Sequence, residues 1–300
     1  MSNLHPELRY DTVSFLSDYG RADEFVGVVH SLIRSTAPGV GIVDISHDIP
    51  RHDVRAGGLT LARSAQYLCP GVVLAVVDPG VGTDRRGLAI EVGDGQSVLL
   101  GPDNGLLAPA VAMVGGATRA VSLTNTDYHL PAPGPTFDGR DIFAPVAGAL
   151  CMGADIADLG EIVDPNSLTP GILPVAREED GDLVAEVMWV DHFGNCQLNL
   201  DPDDLEGWGD VVQVQVGTDP TADWRQLRRV ETFSQIADGQ IGLIIDSYGV
   251  LTVAVDRRSA ETELGARSGS EIRLRRLDDA DRPSAGVTTS VELGARKGDA

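Results

Sequence analysis

Apolar and polar positions change rhythm several times along this chain, and the changes mark out its elements. Residues Thr12 to Ser17 alternate as a half-buried strand does and end at Asp18-Tyr19-Gly20. From Phe25 to Arg34 the apolar residues Phe25, Val28, Val29, Leu32 and Ile33 recur at helical spacing. A short apolar strand follows at Gly41 to Ile45, then a helix at Val54 to Tyr67. The wholly apolar run Val72 to Val77 reads as a central strand covered on both faces. Further strands are predicted at Gly87 to Val92 and Ser97 to Gly101, with helices near Leu106 to Val114 and, longer, around Ile142 to Met152. Strands alternating with helices predict an N-terminal three-layer α/β domain with a mostly parallel sheet over residues 1–170.

Around Pro165 to Pro174 the text turns to Pro, Gly, Ser and Thr, which marks a linker. Beyond it, Leu183 to Val190, Val211 to Val216, Ile241 to Asp246, Val250 to Val255 and Glu271 to Leu274 are short strands between Gly/Asp turns, with no long helical pattern. A small C-terminal β-barrel over 171–277 is the expected fold. The tail 278–300, rich in Asp, Ser, Gly and Arg, is expected to be disordered.

Composition narrows the function. With 300 residues, 42% of them hydrophobic, the chain can bury the cores of two medium domains. Its longest apolar runs fall far short of the ~20 residues that span a bilayer. The polar start, Met1 to Asp11, carries no secretory signal, so a cytoplasmic protein without a membrane partner is expected. A formal charge of −22 argues against a phosphate-backbone partner, because nucleic-acid binding rests on Lys and Arg neutralising phosphates. A cationic or zwitterionic small ligand suits the chain better. Cys69, Cys151 and Cys196 are odd in number and widely spaced, so they read as small buried residues rather than a disulfide framework or zinc site. His30 and His47 read as lone structural histidines, and no metal or cofactor is expected. Neither GxGxxG, GxxxxGK[ST] nor HExxH occurs, which sets aside dinucleotide, P-loop and zincin sites.

Four constellations remain. Val76-Val77-Asp78-Pro79-Gly80-Val81-Gly82-Thr83, with Arg85 and Arg86 beyond, puts a carboxylate at the end of the buried strand, where α/β sheets bind ligands. Asp-Pro-Gly is equally an ordinary turn. Thr136-Phe137-Asp138-Gly139-Arg140-Asp141 leads into the long helix, with Asp141 readable as its N-cap and Asp138 and Arg140 lacking such a role. Asp191-His192-Phe193-Gly194-Asn195 gathers acid, aromatic and amide on one turn, which suits a zwitterion and a purine, or a plain hairpin. Asp18 and Asp23 flank the first strand-to-helix turn, where a carboxylate can accept hydrogen bonds from a ribose diol or cap the helix.

Taken in order, these strings resemble the adenosine-forming S-adenosyl-L-methionine hydrolases, also called SAM hydroxide adenosyltransferases, relatives of the fluorinase and chlorinase. Phe15 to Gly20, Asp44 to Ile49, Val76 to Gly82, Gly101 to Gly105, Thr136 to Asp141, Asp191 to Asn195 and Asp246 to Gly249 carry the likeness, which runs from about residue 12 to 275. The resemblance implies an α/β domain, a β-barrel, and a homotrimer whose sites lie where one subunit's N-terminal domain meets a neighbour's C-terminal domain. It implies that Asp18 holds the ribose, Asp191 the methionine ammonium, Ser247 (beside Tyr248) the carboxylate, and Asn195 the adenine. Phe137, Phe193 and Phe233 would enclose base and sugar. The family's catalytic Asp and Arg fall on Asp78 and Arg85. Its catalytic His falls on Asp138, a departure from the family pattern Thr-Phe-His-Gly-Arg-Asp.

The implied reaction is displacement of methionine from the 5′ carbon by water, with Asp78 and Arg85 orienting the water and Asp138 as a second acceptor. A non-catalytic module binding adenosine or S-adenosylmethionine is the alternative. A halogenase is a weaker one, because a carboxylate at position 78 repels a halide, and the halide-using relatives carry tyrosine there.

Overall fold

The computed structural model describes residues 7–219 and 221–277; the expected disordered tail, 278–300, lies outside the described residues. Its contacts divide the chain into two compact units, with the break between Leu173 and Pro174.

The first unit runs β1 (Thr12–Ser17), α1 (Phe25–Thr36), β2 (Gly41–Ser46), α2 (Val54–Ala65), β3 (Val72–Val76), β4 (Gly87–Val92), β5 (Ser97–Pro102), α3 (Ala108–Met113), β6 (Arg119–Ser122), α4 (Ala144–Cys151) and β7 (Glu161–Val163). Its seven-stranded sheet has the order β2-β1-β3-β5-β4-β6-β7. Strands β2, β1, β3 and β5 are mutually parallel, β4 is antiparallel to both β5 and β6, and β7 is antiparallel to β6. Five strands therefore point one way, and β4 and β7 run against them. The reversal at β4 has a local cause. Gly93, Asp94 and Gly95 all adopt positive φ, which folds β4 and β5 into a tight hairpin.

Every residue of β3 is buried, as a strand covered on both faces requires. On one face α1 and α4 pack through Val29, Ile33, Ala147 and Leu150 against Val13, Phe15, Leu74 and Val76. On the other, α2 and α3 meet over Val73 and Leu99. Gly57 of α2 allows that closeness, since a Cβ there would stand 2.8 Å from Leu106 Cδ1.

The structure corrects several expectations. Instead of one long helix at Ile142 to Met152, a π-helical turn (Gly139–Phe143) feeds the eight-residue α4. Pro145, lacking an N–H, fits the first turn of α4 and fixes where the regular helix begins. Asp141 is no N-cap: it is buried within the π turn and accepts from Arg140 Nε at 2.6 Å. The helix expected at Leu106 to Val114 shrinks to α3, whose first turn holds Pro109. Of the three cysteines, Cys151 and Cys196 are buried but Cys69 is exposed.

The second unit contains β8 (Arg177–Glu179), β9 (Asp182–Val190), β10 (Cys196–Leu198), β11 (Val211–Val216), β12 (Arg225–Arg229), β13 (Ile241–Ile245), β14 (Leu251–Ala254), α5 (Ala260–Leu264) and β15 (Glu271–Arg276). Strands β9, β15, β11, β12, β13, β14 and β10 follow one another in hydrogen-bonded order, and the β10–β9 pairing closes them into a seven-stranded barrel. Leu183, Val187, Leu198, Val212, Leu227, Leu243, Val253 and Ile272 fill it. Closure pairs the edges that an open sheet would expose. Among the described residues no helix is long and apolar enough to cross a membrane.

Candidate functional site

The sheet order places β2 on one side of β1 and β3 on the other, so the chain switches direction between β1 and β3. Crevices at such points, beyond the carboxyl ends of parallel strands, are where α/β sheets bind ligands. Two expected site residues stand there: Asp18 directly follows β1, and Asp78 lies two residues past β3. A cavity of about 430 Å³ opens between them, lined by Asp18, Tyr19, Asp23, Phe25, Arg51, His52, Asp78, Val81, Thr136, Phe137 and Asp138.

Arg85 knits the acids together. Its Nε donates to Asp78 Oδ1 at 3.0 Å, and its Nη2 donates to both Asp78 Oδ2 and Asp138 Oδ2. These side chains are only 12% (Arg85), 6% (Asp78) and 12% (Asp138) exposed. The guanidinium also lies over the Phe143 ring, 5.6 Å from its centroid. The turn carrying Asp78 is fixed by the Thr83 hydroxyl donating to Gly80 O at 2.7 Å. Gly82 sits at φ +78°, with Pro135 O only 2.6 Å from where a Cβ would be, so this turn and the segment before Thr136 fit together only with glycine there. Asn104 donates to Val77 O at 2.8 Å and braces the strand end, while Arg86 is occupied by Asp103 at 2.8 Å.

Asp18 accepts the backbone N–H of His52 at 2.9 Å, and Asp23 is exposed. Neither caps α1, whose N-cap is Glu24 without a side-chain bond. Tyr19, Phe25 and Phe137 form an aromatic wall with ring centroids 5.1–5.8 Å apart. Gly139 lets the π turn approach it, since a Cβ there would fall 2.1 Å from the Tyr19 hydroxyl. Burial pushes the Tyr19 hydroxyl pKa up, and the charges of Asp18, Asp78 and Asp138 add to this against Arg85. Four carboxylates, Asp18, Asp23, Asp78 and Asp138, line the cavity with Arg51, and Arg85 bridges two of them. Nearby, His129 has a buried Nε2 with no hydrogen-bond partner among the described residues. Burial pushes its pKa down, opposed by the charge of Asp138.

Sequence reading missed Tyr19, Phe25, Arg51 and His52 as cavity residues. Arg51 and His52 had a signal: they occupy the β2–α2 connection, another strand-to-helix loop at the same sheet edge. His52 also adopts φ +65°, which the sequence does not show.

The remaining expected residues lie in the second unit. Asp191, Phe193 and Asn195 share the β9–β10 turn. Asp191 Oδ1 accepts the N–H groups of Phe193 and Asn195, each at 2.9 Å, and its Oδ2 accepts the Asn195 amide at 2.7 Å. Ser247 and Tyr248 are exposed in the β13–β14 turn, where Asp246 accepts from Tyr248 N–H and from the Gln197 amide. Because Cys196 pairs with Val253, this turn and the Asp191 turn lie at opposite ends of the β10–β14 ladder. Phe193 and Phe233 are 75% and 46% exposed. The structure thus gathers the first unit's site residues into one cavity and leaves those of the second unit on separate surface turns.

His30 and His47 are not the lone histidines expected. His30 Nε2 lies 2.9 Å from Asp44 Oδ1 and His47 Nε2 lies 3.1 Å from the same atom. Burial pushes the His47 pKa down, outweighing the pull of Asp44.

An acidic, aromatic-walled cavity at the switch point of an α/β sheet, in a chain that also holds a closed β-barrel, defines a small-molecule enzyme suited to a cationic aromatic substrate. Two family profiles match: the SAM hydroxide adenosyltransferase N-terminal domain over residues 13–160 and the corresponding C-terminal domain over 185–273. The chain belongs to the SAM hydroxide adenosyltransferase family. It is 43% identical over 262 residues to a Salinispora tropica protein named (R)-S-adenosyl-L-methionine hydrolase, covering 87% of this chain and 97% of that one. A Thermus thermophilus protein of the same name is 37% identical over 271 residues, covering 87% and 98%. A fluorinase from an Actinoplanes species is more distant, at 27% over 271 residues, covering 81% and 90%. Among solved structures, an uncharacterized conserved protein from Thermotoga maritima superposes with a TM-score of 0.79 at 31% identity, covering 88% of this chain and all of that one.

Proposed function

We propose that this enzyme hydrolyses S-adenosyl-L-methionine to adenosine and L-methionine by substitution at the 5′ carbon. The observation that carries the reading is the Asp78–Arg85–Asp138 bridge facing a net-negative cavity. Such a site attracts a sulfonium cation and can take a proton, whereas a halide would meet two carboxylates. In the reaction a water oxygen bonds to C5′ as the C5′–S bond breaks. The bonding pair leaves on sulfur, methionine departs as a neutral thioether, and one water proton is released. The leaving group needs no acid. What the enzyme supplies is an aligned water and an acceptor for its proton. Asp78 is the acceptor, held in place by the fork of Arg85, and Asp138 is a second acceptor where the family carries histidine. Asp18 binds the ribose hydroxyls, with Asp23 beside it, and Phe137 packs on the nucleoside. Asp191, Asn195, Phe193, Phe233, Ser247 and Tyr248 bind the amino-acid part and the base in a homotrimer whose subunits complete one another's sites.

The test incubates purified protein with the separated sulfonium epimers, because the named relatives carry the R descriptor. Stoichiometric adenosine and methionine from the R epimer without halide is expected. A 5′-halo product dependent on added halide, or tight binding without turnover, would overturn the assignment. Light scattering on the same sample tests the trimer.

A further inference from the structure

We propose that His30, Asp44 and His47 form a binding site for one divalent transition-metal ion of the zinc type, apart from the cavity that holds the substrate. Two histidine nitrogens and a carboxylate oxygen are a common three-ligand set for such ions. Here His30 comes from α1, Asp44 from β2, and His47 from the residue just past that strand. The three donor atoms lie within 4.8 Å of one another. The two separations from Asp44 Oδ1, 2.9 and 3.1 Å, are a few tenths of an ångström shorter than the ~3.3–3.6 Å edges of a tetrahedron with ~2.0–2.2 Å bonds, so a small opening of the cluster seats an ion. The third edge closes by rotation of His30, whose side chain is 29% exposed.

The orientation of His47 is a second, independent observation. Its side chain is fully buried, and Nε2 lies 3.1 Å from a carboxylate oxygen without being aligned for a good hydrogen bond to it or to any other of the described residues. An N–H at that distance from a carboxylate would be expected to point at it. A bare lone pair would be repelled by it, unless a cation sits between. The other ring nitrogen, Nδ1, lies 2.8 Å from the Ser17 hydroxyl, which can accept a hydrogen bond from Nδ1–H and so keep the proton there, leaving Nε2 free to coordinate. Metal-bound histidines are oriented by such outer hydrogen bonds. Phe15 packs on the His47 ring with centroids 4.7 Å apart and fixes its plane. Asp44 and His30 stay partly open to solvent, which provides an entry path and room for a water as the fourth ligand.

The site would brace the loop that carries Asp18. His47 O accepts the Gly20 N–H at 2.7 Å, and Ser17 Oγ accepts the Tyr19 N–H at 3.3 Å. The ion's role is therefore structural, tying α1 to the end of β2.

The experiment uses the untagged full chain, stripped with a chelator and dialysed against Zn²⁺, with metal content measured per chain and Co²⁺ visible absorption as a second probe. One saturable equivalent is expected, along with a raised Tm and a cobalt d–d band. His30→Ala, which removes a partly exposed ligand from a helix surface, should weaken binding at least tenfold, abolish the band and remove the Tm rise. Ser17→Ala should weaken binding by about 10–100-fold with the stoichiometry kept. Absence of saturable binding, or unchanged Zn²⁺ affinity in His30→Ala, overturns the proposal and leaves a hydrogen-bonded His-Asp-His cluster. Activity is not needed for any of these readouts.

Discussion

Asp78 and Asp191 both end a strand, yet the chain uses them differently. Asp78 is held by a guanidinium that also grips Asp138, 53 residues beyond Arg85, and it faces a cavity. Asp191 spends its carboxylate on N–H groups no more than four residues away. The first arrangement exists only in the folded chain. The second is a self-contained turn that any chain with this short string can make. An acid satisfied by its own turn shapes that loop before any ligand arrives, whereas one held by distant charge becomes part of a site only when the chain has folded.

The largest expected effect tests the first acid. Asp78→Ala should lower kcat by about 10²–10⁴-fold, the usual worth of a positioned proton acceptor, while adenosine affinity measured by calorimetry stays nearly constant. Full activity in this variant would remove Asp78 from the mechanism. Next, Asp138→Ala should cost about 10²-fold in turnover, and Asp138→His should stay within about tenfold of the parent. If histidine proves as damaging as alanine, what matters at position 138 is the negative charge on Arg85 rather than a proton acceptor.

For the second acid, Asp191→Ala removes three local hydrogen bonds at a half-buried turn. It should cost about 1–2 kcal/mol in urea unfolding and raise KM more than it lowers kcat. A loss of kcat equal to that of Asp78→Ala would erase the distinction between the two acids. The smallest effect concerns His129 beside the acidic bridge. Burial holds its folded pKa below the ordinary histidine value, so the unfolded chain takes up the proton first as pH falls. Its share of stability is complete above about pH 6.5 and is lost as pH drops from there through its folded value. His129→Gln should flatten that part of the stability profile, read as Tm across a pH series.

Much of this was written into local sequence. The run Val72 to Val77 reads as a strand buried on both faces, and the acid just after it then falls at a sheet edge. Short strands between Gly/Asp turns implied a β-barrel, although β8, β10 and β12 left no such signal: β8 and β10 are three residues each, and Leu227 is the only apolar residue in the Arg-rich string of β12. The π turn before α4 was also invisible, because helical spacing cannot separate a widened turn from a regular one.

The sequence by itself determined the longer, more apolar strands and the first two helices, which acids end strands, and the family to which the chain belongs, because each is written in short strings of neighbouring residues. Only the tertiary structure decided that one arginine bridges Asp78 and Asp138, that Arg51 and His52 share their cavity, and that His30 meets His47 at Asp44. Those meetings depend on loop closures of tens of residues, and charges brought together that way leave no periodic trace along the chain.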